Sequence, residues 1–152
     1  MLSQLQAFFE AEKVPYTRRA HRAAFTAQEA AEAEHVPGKE FAKVVIAKAG
    51  DGFCMAVLPA TKHLSLDKLG RLLPGKAVRL AAEQEFTGLF PQCEPGAMPP
   101  FGKLFGLPVF VDRSLEEDEE ISFLAGSHAE SVHMRYRDYR RLAAPTVADI
   151  AA

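Results

Sequence analysis

The chain has 152 residues, of which 48% are hydrophobic and 25% charged, ordinary values for a globular domain. That length and composition exclude a disordered or low-complexity chain and permit a full core without disulfide or metal staples. Eighteen Lys and Arg against twenty Asp and Glu give a net charge of −2, which excludes a uniformly basic nucleic-acid coat and leaves only local patches for phosphate contact.

The first element is read as an amphipathic helix, MLSQLQAFFEAEK, capped by Ser3, carrying Leu2, Leu5, Phe8 and Phe9 near one stripe, and stopped by Pro15. It has neither the basic start nor the apolar run of a signal peptide. No segment reaches the roughly 18 apolar residues of a membrane span. With Cys54 and Cys93 read as reduced thiols, these features predict a soluble, cytoplasmic protein without membrane attachment. A short strand is predicted from Tyr16 to Ala20. Thr26 and Glu29 have capping-box spacing and open a second helix through an alanine-rich run that ends at His35–Gly38.

FAKVVIAK, Asp51-Gly52 and FCMAVLPA read as a hairpin whose first strand is apolar on both faces, hence interior. SLDKLGRLL reads as a helix with Ser65 as cap, AVRLA as a strand, and AAEQEFTGLF as a short helix with its exit. The Pro/Gly-rich stretch Phe90–Gly106 is a long loop, of the kind that tends to be functional. LPVFVD, EISFLAG and SVHMRY are further strands, the first two separated by the solvated acidic run EEDEE. RDYRRLA is a helical turn or two, and Pro145–Ile150 a short tail helix. Hairpins mixed with interposed helices predict one α/β (α+β) domain over residues 1–152, built on a mixed, barrel-like sheet of about six strands with surrounding helices.

Three features can carry chemistry. Lys43 sits in an otherwise apolar strand, where a lysine needs a partner, a cleft or a route to solvent. The loop Gly96-Ala97-Met98-Pro99-Pro100-Phe101-Gly102 either offers pre-organised backbone N–H groups to an oxyanion or serves as a rigid crossover. Gly126-Ser127-His128 either presents an imidazole to a cleft or forms a turn. GxGxxG, Walker and GxSxG spacings are absent, and no His/carboxylate cluster has zinc spacing. Basic clusters at Arg18–Arg22, at Lys62-His63 with Lys68 and Arg71, and at Arg135–Arg141 are either phosphate contacts or solvated faces.

Taken together, HRAAFTAQEAA with Thr26, FAKVVIAK with Lys43, the Gly96-to-Pro100 GxxxP element and AGSH with His128 resemble the YbaK / prolyl-tRNA synthetase-associated domain family. The resemblance covers almost the whole chain. Val44 follows the lysine where several members carry a polar residue, which bears on pocket polarity and amino-acid choice. The resemblance implies a deacylase that hydrolyses the ester of mischarged aminoacyl-tRNA in trans, removing a small amino acid from tRNA-Pro or a related tRNA. It places catalytic roles on Lys43, Gly96 and His128. Substrate contacts fall on Phe25 and Thr26, on Ala97, Met98, Pro99, Pro100, Phe101 and Gly102 of the loop, and on Gly126 and Ser127. Met98, Phe101 and Phe25 are the expected walls of a size sieve. No metal and no cofactor are expected. The partner is the acceptor end of the tRNA, with a synthetase as an optional second one. The competing readings are a non-catalytic tRNA- or synthetase-binding module and a hydrolase of small free esters or amides.

Overall fold

In a computed structural model describing residues 1–152, the chain opens with helix α1 (Ser3–Glu12), whose Leu5 and Phe9 are fully buried. Its N-cap is Leu2, without a side-chain hydrogen bond, so Ser3 lies inside the helix instead of capping it. Leu2 is held there by its own N–H, which donates to the Ala125 carbonyl at 2.9 Å. Strand β1 (Thr17–Ala20) leads to helix α2 (Ala27–Ala33). Thr26 caps α2 as its sequence spacing predicts, accepting from the Glu29 N–H at 3.0 Å, while the Glu29 carboxylate reaches back to the Phe25 N–H at 3.3 Å.

Strands β2 (Ala42–Ala49) and β3 (Gly52–Pro59) form the predicted hairpin in full register, from Ala42 opposite Pro59 to Ala49 opposite Gly52. Its tight turn falls on Gly50-Asp51, one residue earlier than expected, because Gly50 takes the positive φ of +60°. Helix α3 (Leu66–Arg71) is capped by Ser65, and β4 (Val78–Leu80) and α4 (Glu83–Phe86) follow. After the long loop come β5 (Val109–Asp112), β6 (Glu120–Ser127), β7 (Glu130–Arg135), helix α5 (Tyr136–Ala143) and β8 (Thr146–Ala148).

The strands form two sheets, one ordered β4-β2-β3-β5-β8 and one ordered β1-β7-β6. The first is mixed, with β5 running parallel to both β3 and β8. The mixed α/β class is as expected. A single barrel-like sheet is not found: the β6–β7 hairpin pairs only with β1 and meets β2 through one bridge, Phe41 to Ser122, so the two sheets stay separate. The predicted tail helix is also replaced by β8, since Ala144 takes a left-handed φ that ends α5, and Thr146–Ala148 then completes the sheet edge beside β5.

The core centres on Phe101, whose ring meets Phe9, Phe123 and Tyr139 edge-on at centroid distances of 5.4, 5.7 and 5.2 Å. The buried Tyr139 hydroxyl donates to the Pro100 carbonyl at 3.0 Å, tying the long loop to α5. At the other end Asp112 is buried and holds the tail. It accepts from the N–H groups of Ile150 (3.0 Å), Ala151 (3.1 Å) and Ser114 (3.2 Å), and from the Ser114 hydroxyl.

Burial works to raise the Asp112 pKa, but these hydrogen bonds outweigh it and hold the carboxyl below its ordinary value. A depressed folded pKa contributes stability that is present above the ordinary carboxylate value of about 4 and lost as pH falls through the folded value. Asp112→Ala is therefore expected to cost about 2 kcal/mol near neutral pH, the order of a buried, charge-assisted hydrogen-bond set. The gap to wild type should narrow below about pH 4. Denaturant titrations of both proteins at neutral and acidic pH check this.

Candidate active site

Strand β2 is paired unevenly. Its far end, Ala47–Ala49, lies between β3 and β4, whereas Ala42–Val45 has only β3 as a ladder partner. A cavity of about 380 Å³ opens where the two sheets splay apart on that unpaired side. It is lined by Ala42, Lys43 and Val44 of β2, by Phe25–Gln28 at the start of α2, by Ala60 and His63 beyond β3, by Gly96 and Met98 of the loop, and by Leu124 of β6. That volume is at the low end for ligand sites and suits one small group with part of its carrier.

Lys43 is half-buried, and none of the chain's ion pairs involves it. Burial lowers its pKa from the ordinary lysine value. The cavity thus resolves why a lysine stands in an apolar strand: it faces neither core nor bulk water but a cleft. Thr26 uses its oxygen lone pair on the Glu29 N–H, which leaves the hydroxyl proton available to the cavity. Gln28 is fixed by its Nε2–H donating to the Ala60 carbonyl at 3.0 Å.

The loop and the Gly-Ser-His corner, distant in sequence, form one unit. The Glu94 N–H donates to the Gly126 carbonyl and the Gly126 N–H to the Ala97 carbonyl, each at 2.9 Å. The strand register slips between Leu124 and Ser127, and Gly126 sits in that irregularity at φ +104°. His128 adds the cross-brace: Nε2 lies 2.7 Å from the Pro95 carbonyl and Nδ1 lies 3.1 Å from the Ala24 carbonyl. Gly96 lies beside the His128 ring, where an added Cβ would stand in ordinary contact at 3.4 Å, so its φ of +86° rather than lack of space is what calls for glycine. Within the loop the Ala97 N–H is engaged by the Glu94 carbonyl, and Pro99 and Pro100 have no N–H. The N–H groups of Gly96 and Met98 have no acceptor in the protein, and both residues line the cavity.

The structure therefore divides the sequence-derived site. Phe25, Thr26, Lys43, Gly96 and Met98 meet in one cavity. The other eight do not line it. Ala97, Pro99 and Pro100 are buried behind it, shaping the loop. Phe101 is core, not a sieve wall, because its ring is wholly enclosed by aromatics. Gly102 is required by its own turn, where an added Cβ would lie 2.4 Å from the Leu107 carbonyl oxygen. Gly126 anchors the loop. Ser127 accepts from the Ala129 N–H as a turn residue and lines a shallow groove beside Met1–Ser3 instead. His128 is a positioning residue, since both ring nitrogens face backbone carbonyls rather than the cavity.

Val44, expected to bear on pocket polarity, does line the cavity, and the residues that sequence reasoning missed are Ala27, Gln28, Ala42, Ala60, His63 and Leu124. Only His63 carried a usable signal, its place in the Lys62-His63 basic pair. The basic clusters are largely engaged elsewhere: Arg18 with Glu130, Arg19 with Glu34, Lys68 with Asp149, Arg140 with Glu116 and Arg141 with Glu12. A Ser122–His133–Glu120 line resembles a hydrolytic triad in connectivity, but Ser122 is completely buried between strands and reaches no cavity.

A small mixed α/β domain with a cleft lined by a lysine, a histidine and residues with unpartnered amides but by no carboxylate is suited to an anionic or oxyanion-forming ligand. The profile of the aminoacyl-tRNA editing domain matches residues 21–142, and the chain belongs to that family, as the sequence motifs led one to expect. Among solved structures, a hypothetical protein superposes with a TM-score of 0.88 at 23% identity, covering 99% of this chain and 100% of its own. A protein described as a candidate trans-editing enzyme for prolyl-tRNA synthetase gives 0.87 at 23% identity, covering 100% of this chain and 99% of its own. A protein described as a signal transduction protein, from Marinobacter aquaeolei VT8, gives 0.79 at 19% identity, covering 100% of this chain but 31% of its own. These likenesses establish the fold. Curated proteins give no match.

His128→Ala is expected to release the loop from the Pro95 and Ala24 carbonyls together. Exchange of the hydrogen-bonded amides of Glu94, Ala97 and Gly126, and of Ala24, should quicken at least about tenfold, with the β2–β3 hairpin unaffected. Hydrogen-exchange mass spectrometry reads both regions in one experiment.

Proposed function

We propose that the chain is an aminoacyl-tRNA deacylase acting in trans, hydrolysing the ester between a small, wrongly attached amino acid and the terminal ribose of tRNA-Pro or a related tRNA. The observation that carries this reading is the cavity itself: Lys43, Gly96 and Met98 line one small space with no carboxylate among its residues, and the N–H groups of Gly96 and Met98 have no acceptor in the protein. The family of editing domains supports the substrate class. The solved relative described as a candidate trans-editing enzyme for prolyl-tRNA synthetase supports the tRNA.

Hydrolysis adds water to the ester carbonyl carbon and moves an electron pair onto the carbonyl oxygen. The Gly96 and Met98 N–H groups hold that oxyanion, fixed in advance by the brace from Gly126 and His128. Lys43 polarises the same carbonyl or anchors the substrate's nearest anion, and both roles need its charged form. Nothing lining the cavity resembles a carboxylate base, so the neighbouring ribose hydroxyl assists the water. The enzyme's main contribution is then placement. Collapse of the tetrahedral intermediate breaks the bond to the ribose oxygen, which takes up a proton and leaves.

Selectivity follows from the floor. Ala42, Ala60, Met98 and Leu124 close the cavity around a small acyl group. A synthetase cannot reject such a group well, because one methylene is worth only about 1–3 kcal/mol, so a second sieve that admits it corrects the error. No helix of the chain is long and apolar enough to cross a membrane. A single domain working in the cytoplasm, where charged tRNA circulates, completes the reading.

The test is a deacylation assay on Ala-, Ser-, Cys- and Thr-tRNA. Wild type should cleave one or a narrow set. Lys43→Ala should retain its circular dichroism spectrum and fall at least about a hundredfold in kcat/KM, the scale of an electrostatic interaction with the reacting centre. Folded wild-type protein that leaves every charged tRNA intact would hand the case to the binding-module reading.

A further inference from the structure

Lys43 and His63 are the only titratable side chains lining the cavity, and no acid offsets them. The two stand at different depths. Lys43 is half-buried on β2, whereas His63 is exposed at the mouth, next to an equally exposed Lys62. Of the five histidines, His21, His128 and His133 have ring nitrogens facing protein acceptors. His63 makes no side-chain hydrogen bond or ion pair, and Lys62 likewise has none. Most other basic clusters on this chain are tied to carboxylates.

The backbone that carries these free side chains is nonetheless fixed. The Ala60 N–H donates to the Phe41 carbonyl at 2.7 Å and the Lys62 N–H to the Pro59 carbonyl at 3.0 Å. The Ala152 N–H donates to the His63 carbonyl, and the Ser65 N–H to the Ile150 carbonyl, both at 2.8 Å. Thr61 packs on Gly38 so tightly that a Cβ there would stand 2.9 Å from its methyl group. The turn is therefore a stiff arm that ends in two uncommitted donors, which lowers the cost of ordering it around a ligand.

We propose that His63, with Lys62 beside it, grips the phosphate of the substrate's terminal nucleotide, as an outer subsite to Lys43. This rests on the deacylase reading and deepens it. The ester oxygen and the nearest phosphate lie on opposite sides of the same ribose. A substrate with its ester at Lys43 and the free amides therefore carries its first phosphate back toward the mouth. An imidazole donates an N–H to a phosphate oxygen in either protonation state, and an ammonium adds a point charge. The shallow groove beyond Lys62 holds Asp112, Glu117 and Asp149 beside Lys68 and Arg113, and Lys68 is paired with Asp149, so the subsite is confined to the terminal phosphate.

Two minimal substrates test the subsite: 3′-aminoacyl-adenosine with and without a 5′-phosphate, each bearing the amino acid that wild type removes. For wild type the phosphate should lower KM by roughly five- to tenfold, the gain of a charge-assisted hydrogen bond at an exposed site. In His63→Ala that advantage should shrink to near twofold or less, and in the double variant with Lys62→Ala it should vanish. On whole tRNA the salt dependence of log KM should flatten by about 0.7 when one phosphate is no longer neutralised. An undiminished phosphate advantage in the variants would overturn the proposal. A fall in kcat of equal size on both substrates, with KM unmoved, would overturn it too, by placing the ring at the breaking bond. Equilibrium binding of adenosine 5′-monophosphate against adenosine reads the same interaction without turnover. The deacylase reading fails separately, on the panel of charged tRNAs, and whatever that outcome, a binding ratio that His63→Ala leaves intact sinks the subsite.

Discussion

The site depends on one strand having a neighbour on only part of its length. A β-strand interior to a sheet satisfies its backbone on both edges, and β2 does so from Ala47 to Ala49. Before that point β4 has ended, and the only pairing toward β6 is the bridge from Phe41, just ahead of β2, to Ser122. The gap between sheets is the cavity, and Lys43 stands in the gap. The same strand thus stabilises the fold at one end and holds the candidate chemistry at the other.

The wall opposite Lys43 is stabilised differently. A segment rich in proline and glycine cannot build a ladder of its own. Here it borrows one: Gly126 exchanges hydrogen bonds with Glu94 and Ala97, and the His128 ring reaches the Pro95 and Ala24 carbonyls. The brace engages the Pro95 and Ala97 carbonyls and leaves two donors, those of Gly96 and Met98, without partners. Rigid surroundings and free amides are complementary results of one arrangement. Beyond the loop, Tyr139 holds the Pro100 carbonyl from the core side, so the wall is fixed from both faces.

Much of this is legible in the residues. Hairpin register, the caps Thr26 and Ser65, and the anomaly of Lys43 follow from local rules that hold whatever the tertiary context. The tail is not legible in that way, because the three residues Thr146–Ala148 form a strand only by lying beside β5, a pairing between distant segments. The expectation of a single barrel-like sheet fails for the same reason, since the parting of β6 from β2 is decided by long-range pairing. Phe101 illustrates the limit for sites. Its neighbours in sequence line or back the cavity, but a large aromatic contributes most stability inside the core, and the chain turns it there. Ala42, Ala60 and Leu124 carry no chemical signature at all and become site residues only by position.

The stiffness of the Gly96 wall has a consequence for accuracy. A filter that separates two molecules by one methylene works as a ruler, and a ruler that bends under load reads every length alike. A wall that gave way by a fraction of an ångström would admit the larger group at little penalty, erasing a difference worth only about 1–3 kcal/mol. On the proposed deacylase reading, the imidazole brace and the glycine beside it therefore set the resolution of the measurement, while the small side chains opposite set its zero.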